Sequence, residues 1–261
     1  MPTKITIDLI KDLRDKTGVS VMQCKNALEE AEGDMEKALI ILKNKSSSIA
    51  MKKANRNAKD GLIIVREDDQ KTILLALHSE TDFVAKNSDF VNLANKLADI
   101  AIKDGIGAVK NQSTGMINEI IQKVGEKIEL GEISEIKGNI IGSYVHSGGK
   151  IAAIVVLSSG TKELARDIAM HITAMKPVYK TKDDITDEDK ARVTEVYKKE
   201  VETSDKPQEI KDKMLEGKIS SYFKELTLMN QMFIKNPDLS IEKMLKENNA
   251  QLESYIYESI N

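Results

Sequence analysis

The 261-residue sequence has few of the residues that many kinds of functional site require. Its single cysteine, Cys24, excludes a disulfide within the chain and suits a reducing compartment. Tryptophan is absent and aromatic residues make up 4%, which argues against surfaces that stack on bases or sugars. No apolar run approaches the roughly eighteen residues of a membrane span, and residues 2–4 lead into a helical pattern instead of a signal peptide. We therefore expect a cytoplasmic protein without a membrane partner.

Motifs for catalysis and for cofactor binding are also missing. None of the three histidines has the spacing of a zinc finger or of HExxH, and neither GxxxxGK[ST] nor GxGxxG occurs. Asp82 and His78 could form a general acid–base pair, but a pair of residues without known geometry is only a hypothesis. The sequence predicts a protein that has no catalytic site, metal or cofactor and acts by binding.

The charge distribution favours a protein partner over nucleic acid. The formal net charge is −3, which gives no overall attraction to phosphates. The segment 43–59 is an exception, because it holds six Lys or Arg and no acid. Such a run could bind RNA phosphates, or it could be a solvated linker. No aromatic residue is interleaved with the cations and three serines interrupt them, so a partly helical linker over residues 47–60 is the simpler interpretation.

Three short helices are predicted before this linker, in residues 1–46. Thr6, Ser20 and Asp34 each precede an apolar pattern of helical period and can cap a helix. Gly18 and Gly33 supply the breaks between the helices. About forty residues make a small bundle with a marginal core of its own.

An α+β core is predicted after the linker, because strand and helix patterns recur as two similar blocks. Each block is an antiparallel hairpin followed by helix, and the blocks occupy residues 61–138 and residues 139–182 with 229–261. The first hairpin turns around Asp68 and Asp69. Between the two parts of the second block, residues 183–228 form two amphipathic helices with a break at Ser204–Pro207, which predicts a protruding helical hairpin.

The stretch from His78 to Lys86 carries the main candidate site. A buried strand over residues 71–77 ends there, and the polar cluster at residues 87–89 starts a helix, so the stretch is a surface connection. Phe83 and Val84 could tuck under this loop as local core while Asp82 caps a turn. Alternatively, Asp82 and Phe83 could form a wedge that enters another protein. The pattern alone leaves both interpretations open.

Three motifs decide between them through a resemblance. TDFVAK at residues 81–86, LIKDLRDKTGVSVMQCKNALEEAEGD at residues 9–34 and AMHITAMKP at residues 169–177 resemble, in order and spacing, the elongation factor Ts family. This resemblance implies a guanine-nucleotide exchange factor for translation elongation factor Tu. It also implies a ubiquitin-associated-like N-terminal module and a helical hairpin that forms homodimers.

The resemblance further implies which residues contact the GTPase. Thr81, Asp82, Phe83 and Val84 would form the tip inserted near its magnesium site, and His146 would be a second wedge toward its phosphate-binding loop. Four positions of the N-terminal module would contact its nucleotide domain: Arg14, Val21, Met22 and Lys25. From the pattern alone, Met22 could equally be core, and a histidine at a strand end such as His146 is more often an ordinary surface residue. His171 is interpreted as structural.

Overall fold

The structure, a computed structural model, describes residues 5–68 and 71–260, so Asp69 of the predicted turn lies outside the described residues. The chain divides into two compact units. One holds Met1–Lys137, Ser147–Ile151 and Ser259–Asn261, and the other holds Gly138–His146 and Ala152–Glu258. The turn at 147–151 therefore belongs to the first unit, whereas the sequence grouped it with the second block. Among the described residues, no helix is long and apolar enough to cross a membrane.

The first unit begins with three helices, α1 (Ile7–Thr17), α2 (Val21–Glu30) and α3 (Met35–Lys53). Their predicted caps are confirmed: Thr6, Ser20 and Asp34 each accept a hydrogen bond from a backbone amide in the first turn of the following helix. Gly18 ends α1 with a φ of 68°, where a glycine is strongly preferred. The helices share a small core that includes Cys24: Leu13, Val19, Cys24, Ala27, Leu28, Ala31, Ala38 and Leu42.

Helix α3 is longer than predicted. The sequence placed its end near residue 46 and an only partly helical linker after it, but the helix continues to Lys53. The serines at 46–48 do not break it, since Ser46 is buried and its hydroxyl donates to the carbonyl of Lys43 at 2.7 Å. Ile49 and Ala50 pack against the core of the sheet that follows. The basic segment is thus mostly a helix fixed to the rest of its unit.

That sheet has the order β1-β2-β3, with antiparallel strands β1 (Asp60–Glu67), β2 (Thr72–Ser79) and β3 (Ile128–Ile136). The one-turn helix α4 (Asp82–Ala85) follows β2, and α5 (Ser88–Asp104) and α6 (Ile106–Val124) cover the sheet. The predicted first residues of two of these elements were wrong. Helix α6 starts at Ile106 instead of near Ser113, because Gly107 weakens the helical signal there. Strand β3 starts at Ile128 instead of Ile133, because Glu129 and Glu132 hide its alternation.

The second unit is built on a sheet of order β4-β5-β8, with strands β4 (Ile140–Val145), β5 (Ile151–Ser159) and β8 (Gln251–Ser259). Helix α7 (Lys162–Met175) packs on it, capped by Thr161 as predicted. A small hairpin of β6 (Met232–Phe233) and β7 (Asn236–Ser240) leads into α10 (Ile241–Glu247). Strand β8 was not predicted from the sequence. The α+β class with antiparallel strand pairs is confirmed.

Two further helices, α8 (Asp187–Glu202) and α9 (Gln208–Leu226), interrupt this unit. They pack on each other through Val193 and Phe223. Rings also meet edge to face, with Tyr197 and Tyr222 at 5.9 Å between centroids. Lys218 of α9 pairs with Glu200 of α8 at 2.8 Å. The helices therefore run past each other in opposite directions and bury part of their apolar stripes between themselves.

His171 is the buried centre of a hydrogen-bond chain in the second unit. The amide of Ile234 donates to its Nδ1 at 3.3 Å, so the proton lies on Nε2, which donates to the side-chain oxygen of Gln231 at 3.0 Å. The Gln231 amide nitrogen then donates to the carbonyl of Glu225 at 2.6 Å. The bond from the Ile234 amide needs the neutral imidazole, because a protonated Nδ1 cannot accept. Burial lowers the pKa of His171 below 6.5, although the bond to Gln231 opposes this.

Acidification should therefore weaken the second unit through His171. Because its pKa is lower in the folded than in the unfolded state, the unfolded chain binds the proton first, so stability is intact above about pH 6.5 and falls as the pH drops below it. Urea unfolding at pH 7.5 and pH 5.5 measures this. We expect a smaller loss on acidification in His171→Gln than in wild type, since the variant lacks the titrating group. Equal losses would contradict the assignment.

Candidate functional site

The loop between β2 and α5 is built from two consecutive helix caps. Thr81 has an extended backbone and its hydroxyl accepts a hydrogen bond from the amide of Val84, which caps α4. Asn87 accepts from the amide of Asp89 at 2.9 Å and caps α5. The chain thus leaves the sheet, makes one helical turn over residues 82–85 and enters the next helix within a few residues. Helix α4 is the tip that the sequence singled out.

Phe83 and Val84 point to opposite environments on this tip. Phe83 is 83% exposed, whereas Val84 is 9% exposed and belongs to the core formed with β2 and α5. Successive residues of a helix are separated by about 100°, so one turn can bury one side chain and present its neighbour. Local packing is the right interpretation for Val84 and the wrong one for Phe83. Val84 therefore supports the tip from inside, and Phe83 is its apolar outer surface.

Asp82 presents a charged carboxylate beside Phe83. Its side chain is 43% exposed and its Oδ2 accepts a hydrogen bond from Lys86 Nζ at 2.7 Å. This hydrogen bond, with a smaller attraction from Lys150, lowers the pKa of Asp82 below its ordinary value. The bonded partner is Lys86 and not His78, whose ring lies against Gly131 of β3. The tip thus carries an ionised acid and an exposed aromatic ring side by side.

Two carboxylates fasten the base of the tip to the connection between α6 and β3. Glu126 accepts from the Thr81 amide at 3.0 Å and from the Thr81 hydroxyl at 2.8 Å. Glu80 accepts from the Lys127 amide at 2.6 Å and from Arg56 at 3.2 Å. Burial alone would raise the pKa of Glu80, but these two donors lower it overall. Neither contact could be predicted from a local pattern, because the partners are 45 and 47 residues apart.

The four N-terminal candidates all lie on the surface. Helix α2 buries Cys24, Ala27 and Leu28, and its exposed side chains include the other set: Val21, Met22 and Lys25. Met22 is 64% exposed, so it is not core. Lys25 is paired with Glu29 at 3.6 Å, and Arg14 is exposed on α1. Two adjacent apolar side chains flanked by a cation thus form one exposed strip on α2.

His146 follows the last residue of β4 and is exposed. Its Nδ1 lies 3.5 Å from the hydroxyl of Tyr144, and the two rings are 6.2 Å apart between centroids. The imidazole is therefore available at the surface, with one aromatic neighbour beside it. Nothing in this arrangement resembles a buried structural histidine such as His171.

The basic segment is partly used within its own unit. Lys45 pairs with Glu30, Lys53 donates to the carbonyl of Gly125, and Arg56 pairs with Glu80. Half of its six cations thus have partners in the chain. Lys45 joins α3 to α2, whereas Lys53 and Arg56 bind the segments on either side of the base of the tip. Their use within the unit weakens the alternative interpretation of the segment as an RNA-binding surface.

Comparisons with known proteins agree with one another. The family model described as "Elongation factor TS" matches residues 80–260. A curated relative named "Elongation factor Ts" from Hahella chejuensis is 37% identical over 258 residues, which cover 97% of this chain and 90% of the relative. Another relative of that name, from Marinobacter nauticus, is 38% identical over 258 residues, with coverage of 97% and 89%.

Proposed function

The chain belongs to the elongation factor Ts family, and from this premise we propose that it is a guanine-nucleotide exchange factor. It binds translation elongation factor Tu, promotes release of GDP and so allows GTP to bind again during protein synthesis. The observation that carries the proposal is the exposed Phe83 beside the ionised Asp82 on a tip whose base is fixed. An exchange factor acts by binding and needs no catalytic group of its own.

The physical basis is differential binding. A GTPase holds its nucleotide mainly through phosphate contacts and a magnesium ion. A partner can lower nucleotide affinity only to the extent that it binds the nucleotide-free form more tightly than the loaded form. The tip supplies two suited groups. Phe83 is exposed in the free protein and gains burial on docking, and the Asp82 carboxylate can compete for the groups that hold the magnesium.

The free energy of burying its side chain indicates how much Phe83 alone can lower nucleotide affinity. Burying a phenylalanine side chain contributes about 1.5–3 kcal/mol, and 1.4 kcal/mol is tenfold in an equilibrium constant. The ring therefore accounts for roughly one to two powers of ten in nucleotide affinity, if it is buried only in the nucleotide-free complex. Further acceleration has to come from Asp82 and from contacts elsewhere.

His146 is proposed as the second wedge, and His146→Ala should lower the maximal release rate.

The exposed strip on α2 is proposed, together with Arg14 of α1, as an anchor that adds affinity without acting on the nucleotide. Met22 and Val21 offer exposed apolar surface, and Arg14 and Lys25 offer cations. In Met22→Asp, we expect the dissociation constant for elongation factor Tu to rise about tenfold, because an apolar contact is replaced by a charge that must lose its water. Calorimetric titration measures this. The maximal release rate at saturation should stay near the wild-type value, and a variant that loses rate instead would contradict the anchor role.

The helix pair α8 and α9 is proposed as a homodimer contact. Val196 and Ile210 remain exposed on these helices although Val193 and Phe223 are buried. A second copy would cover such residues by a symmetric contact. Sedimentation equilibrium of the free protein decides this, since a monomer at concentrations of tens of micromolar would exclude the proposal.

Linkage gives a direct test of the exchange function. The chain is titrated into nucleotide-free elongation factor Tu and into its magnesium–GDP form. If it displaces nucleotide by differential binding, it must bind the nucleotide-free form more tightly by the same factor by which it weakens GDP. We expect at least about a hundredfold difference. Equal affinities would mean that the chain is a scaffold that binds without promoting exchange.

A further inference from the structure

Helix α4 has too little structure of its own to fix the direction of Phe83. It is a single turn of four residues, and such a short helix has no intrinsic stability in water. A shift of this turn by one residue would move Val84 into the exposed position that Phe83 occupies. Something outside the turn must therefore set where it begins.

Glu126 is placed to set that starting point. Its two oxygens hold the amide and the hydroxyl of one residue, Thr81, which is the cap of α4. Both contacts are hydrogen bonds to a carboxylate, which are stronger than bonds between neutral groups. The same hydroxyl also accepts from the amide of Val84. One carboxylate thus fixes the backbone and the side chain of the capping residue together.

The neighbouring residues form a second contact of the same kind, in which the segment that donated now accepts. Glu80, which precedes Thr81, accepts from the amide of Lys127, which follows Glu126. Each of the two neighbouring segments therefore offers a carboxylate to a backbone amide of the other. We call this reciprocal pair the latch, formed by Glu80, Thr81, Glu126 and Lys127. Arg56, which follows the end of α3, also pairs with Glu80.

We propose that Glu126 is a positioning residue for nucleotide exchange, which holds the Asp82–Phe83 tip in the conformation that docks. This inference rests on the exchange function proposed above. Glu126 acts through Thr81 and does not itself touch the GTPase. Without the latch, α4 would sample other conformations in the free protein, and the loss of that freedom would then oppose docking. Once docked, the tip would be ordered by its partner.

The expected kinetic signature is a change in concentration dependence. In Glu126→Ala, the concentration of this chain that gives half-maximal GDP release from elongation factor Tu should rise about tenfold. The maximal release rate should stay within about twofold of wild type, because the docked state is the same. Glu126→Gln keeps the shape and one acceptor for the Thr81 amide, so it should lie between the two. Glu119→Ala is the matched control, since Glu119 is exposed on α6 and no ion pair of its carboxylate is seen among the described residues.

Two readouts separate positioning from general stability. Amide hydrogen exchange of the free chain should speed up at Thr81 and Val84 in Glu126→Ala, while core amides of β2 stay protected. In a chain that already carries Asp82→Ala and Phe83→Ala, adding Glu126→Ala should not change the rate of GDP release further, because the side chains that Glu126 positions are already absent.

The outcomes are distinct. If Glu126→Ala matches Glu119→Ala in both half-maximal concentration and amide exchange, the positioning role is wrong while the exchange function stands. The role is also wrong if Glu126→Ala lowers the effect of the chain equally with and without the tip residues. If wild type itself does not accelerate GDP release, the exchange function fails, and the positioning role fails with it.

Discussion

Replacing Phe83 with alanine should lower the rate of GDP release from elongation factor Tu about ten- to a hundredfold, at a fixed subsaturating concentration of the chain. The ring is 83% exposed in the free protein, so its burial on docking is the gain that the variant loses. That gain corresponds to about 1.5–3 kcal/mol, or one to two powers of ten. Stopped-flow fluorescence of a labelled GDP measures the release directly.

The fold should not change in this variant. Substitutions at exposed positions without special contacts shift the free energy of unfolding by about 0.5 kcal/mol or less. Phe83→Leu keeps most of the apolar surface and should retain more activity than Phe83→Ala. If Phe83→Ala releases GDP as fast as wild type, the aromatic ring has no part in exchange and the tip must act through Asp82 or not at all.

Replacing Phe90 with alanine should have the opposite phenotype. Phe90 lies in the first turn of α5, is fully buried and packs in the core that also contains Val84. Truncation of a buried phenylalanine leaves a cavity and lowers the free energy of unfolding by about 3–5 kcal/mol. A domain is typically stable by only about 5–15 kcal/mol, so a large share of the total would be lost. Urea unfolding followed by circular dichroism measures the shift in midpoint.

Phe83→Ala is the matched control for Phe90→Ala, since the same atoms are removed seven positions apart. At a temperature where Phe90→Ala is still folded, its release rate at saturation should be near that of wild type, because the surface of the tip is intact. Equal losses of stability in the two variants would contradict the division between an outer and an inner phenylalanine.

Local signals explain why much of the fold could be predicted. The caps at Thr6, Ser20, Asp34 and Thr161 act within three residues of the helix start, so a single sequence contains all the information needed. Strand β2 was recognisable because both of its faces are buried and it reads as a continuous apolar run. These elements place the tip in the chain.

Tertiary contacts explain what could not be predicted. Helix α3 continues through three serines because the hydroxyl of Ser46 finds a carbonyl and because Ile49 packs on a core formed much later in the chain. The hydrogen bond between Thr81 and Glu126 joins residues 45 positions apart, and a periodic pattern in the sequence cannot predict such a pair. Strand β8 depends likewise on β5, which precedes it by about a hundred residues.

The orientation of the Phe83 side chain could be predicted only in part. The residues of TDFVAK indicated a surface connection, but a four-residue turn is too short for a hydrophobic pattern to define its buried side. Which of Phe83 and Val84 faces outward is decided by the cap at Thr81 and by the latch beneath it. The sequence could therefore place the candidate residues on a surface connection, while the side chains that face outward depend on contacts between residues far apart in the chain.

The most direct test of the exchange function follows release of fluorescent GDP from purified elongation factor Tu, with wild type and with the double variant Asp82→Ala, Phe83→Ala. We expect wild type to accelerate release by orders of magnitude, and we expect the double variant to bind through the exposed strip on α2 but to accelerate release little. If wild type binds elongation factor Tu and leaves the release rate at its spontaneous value, the chain is not an exchange factor.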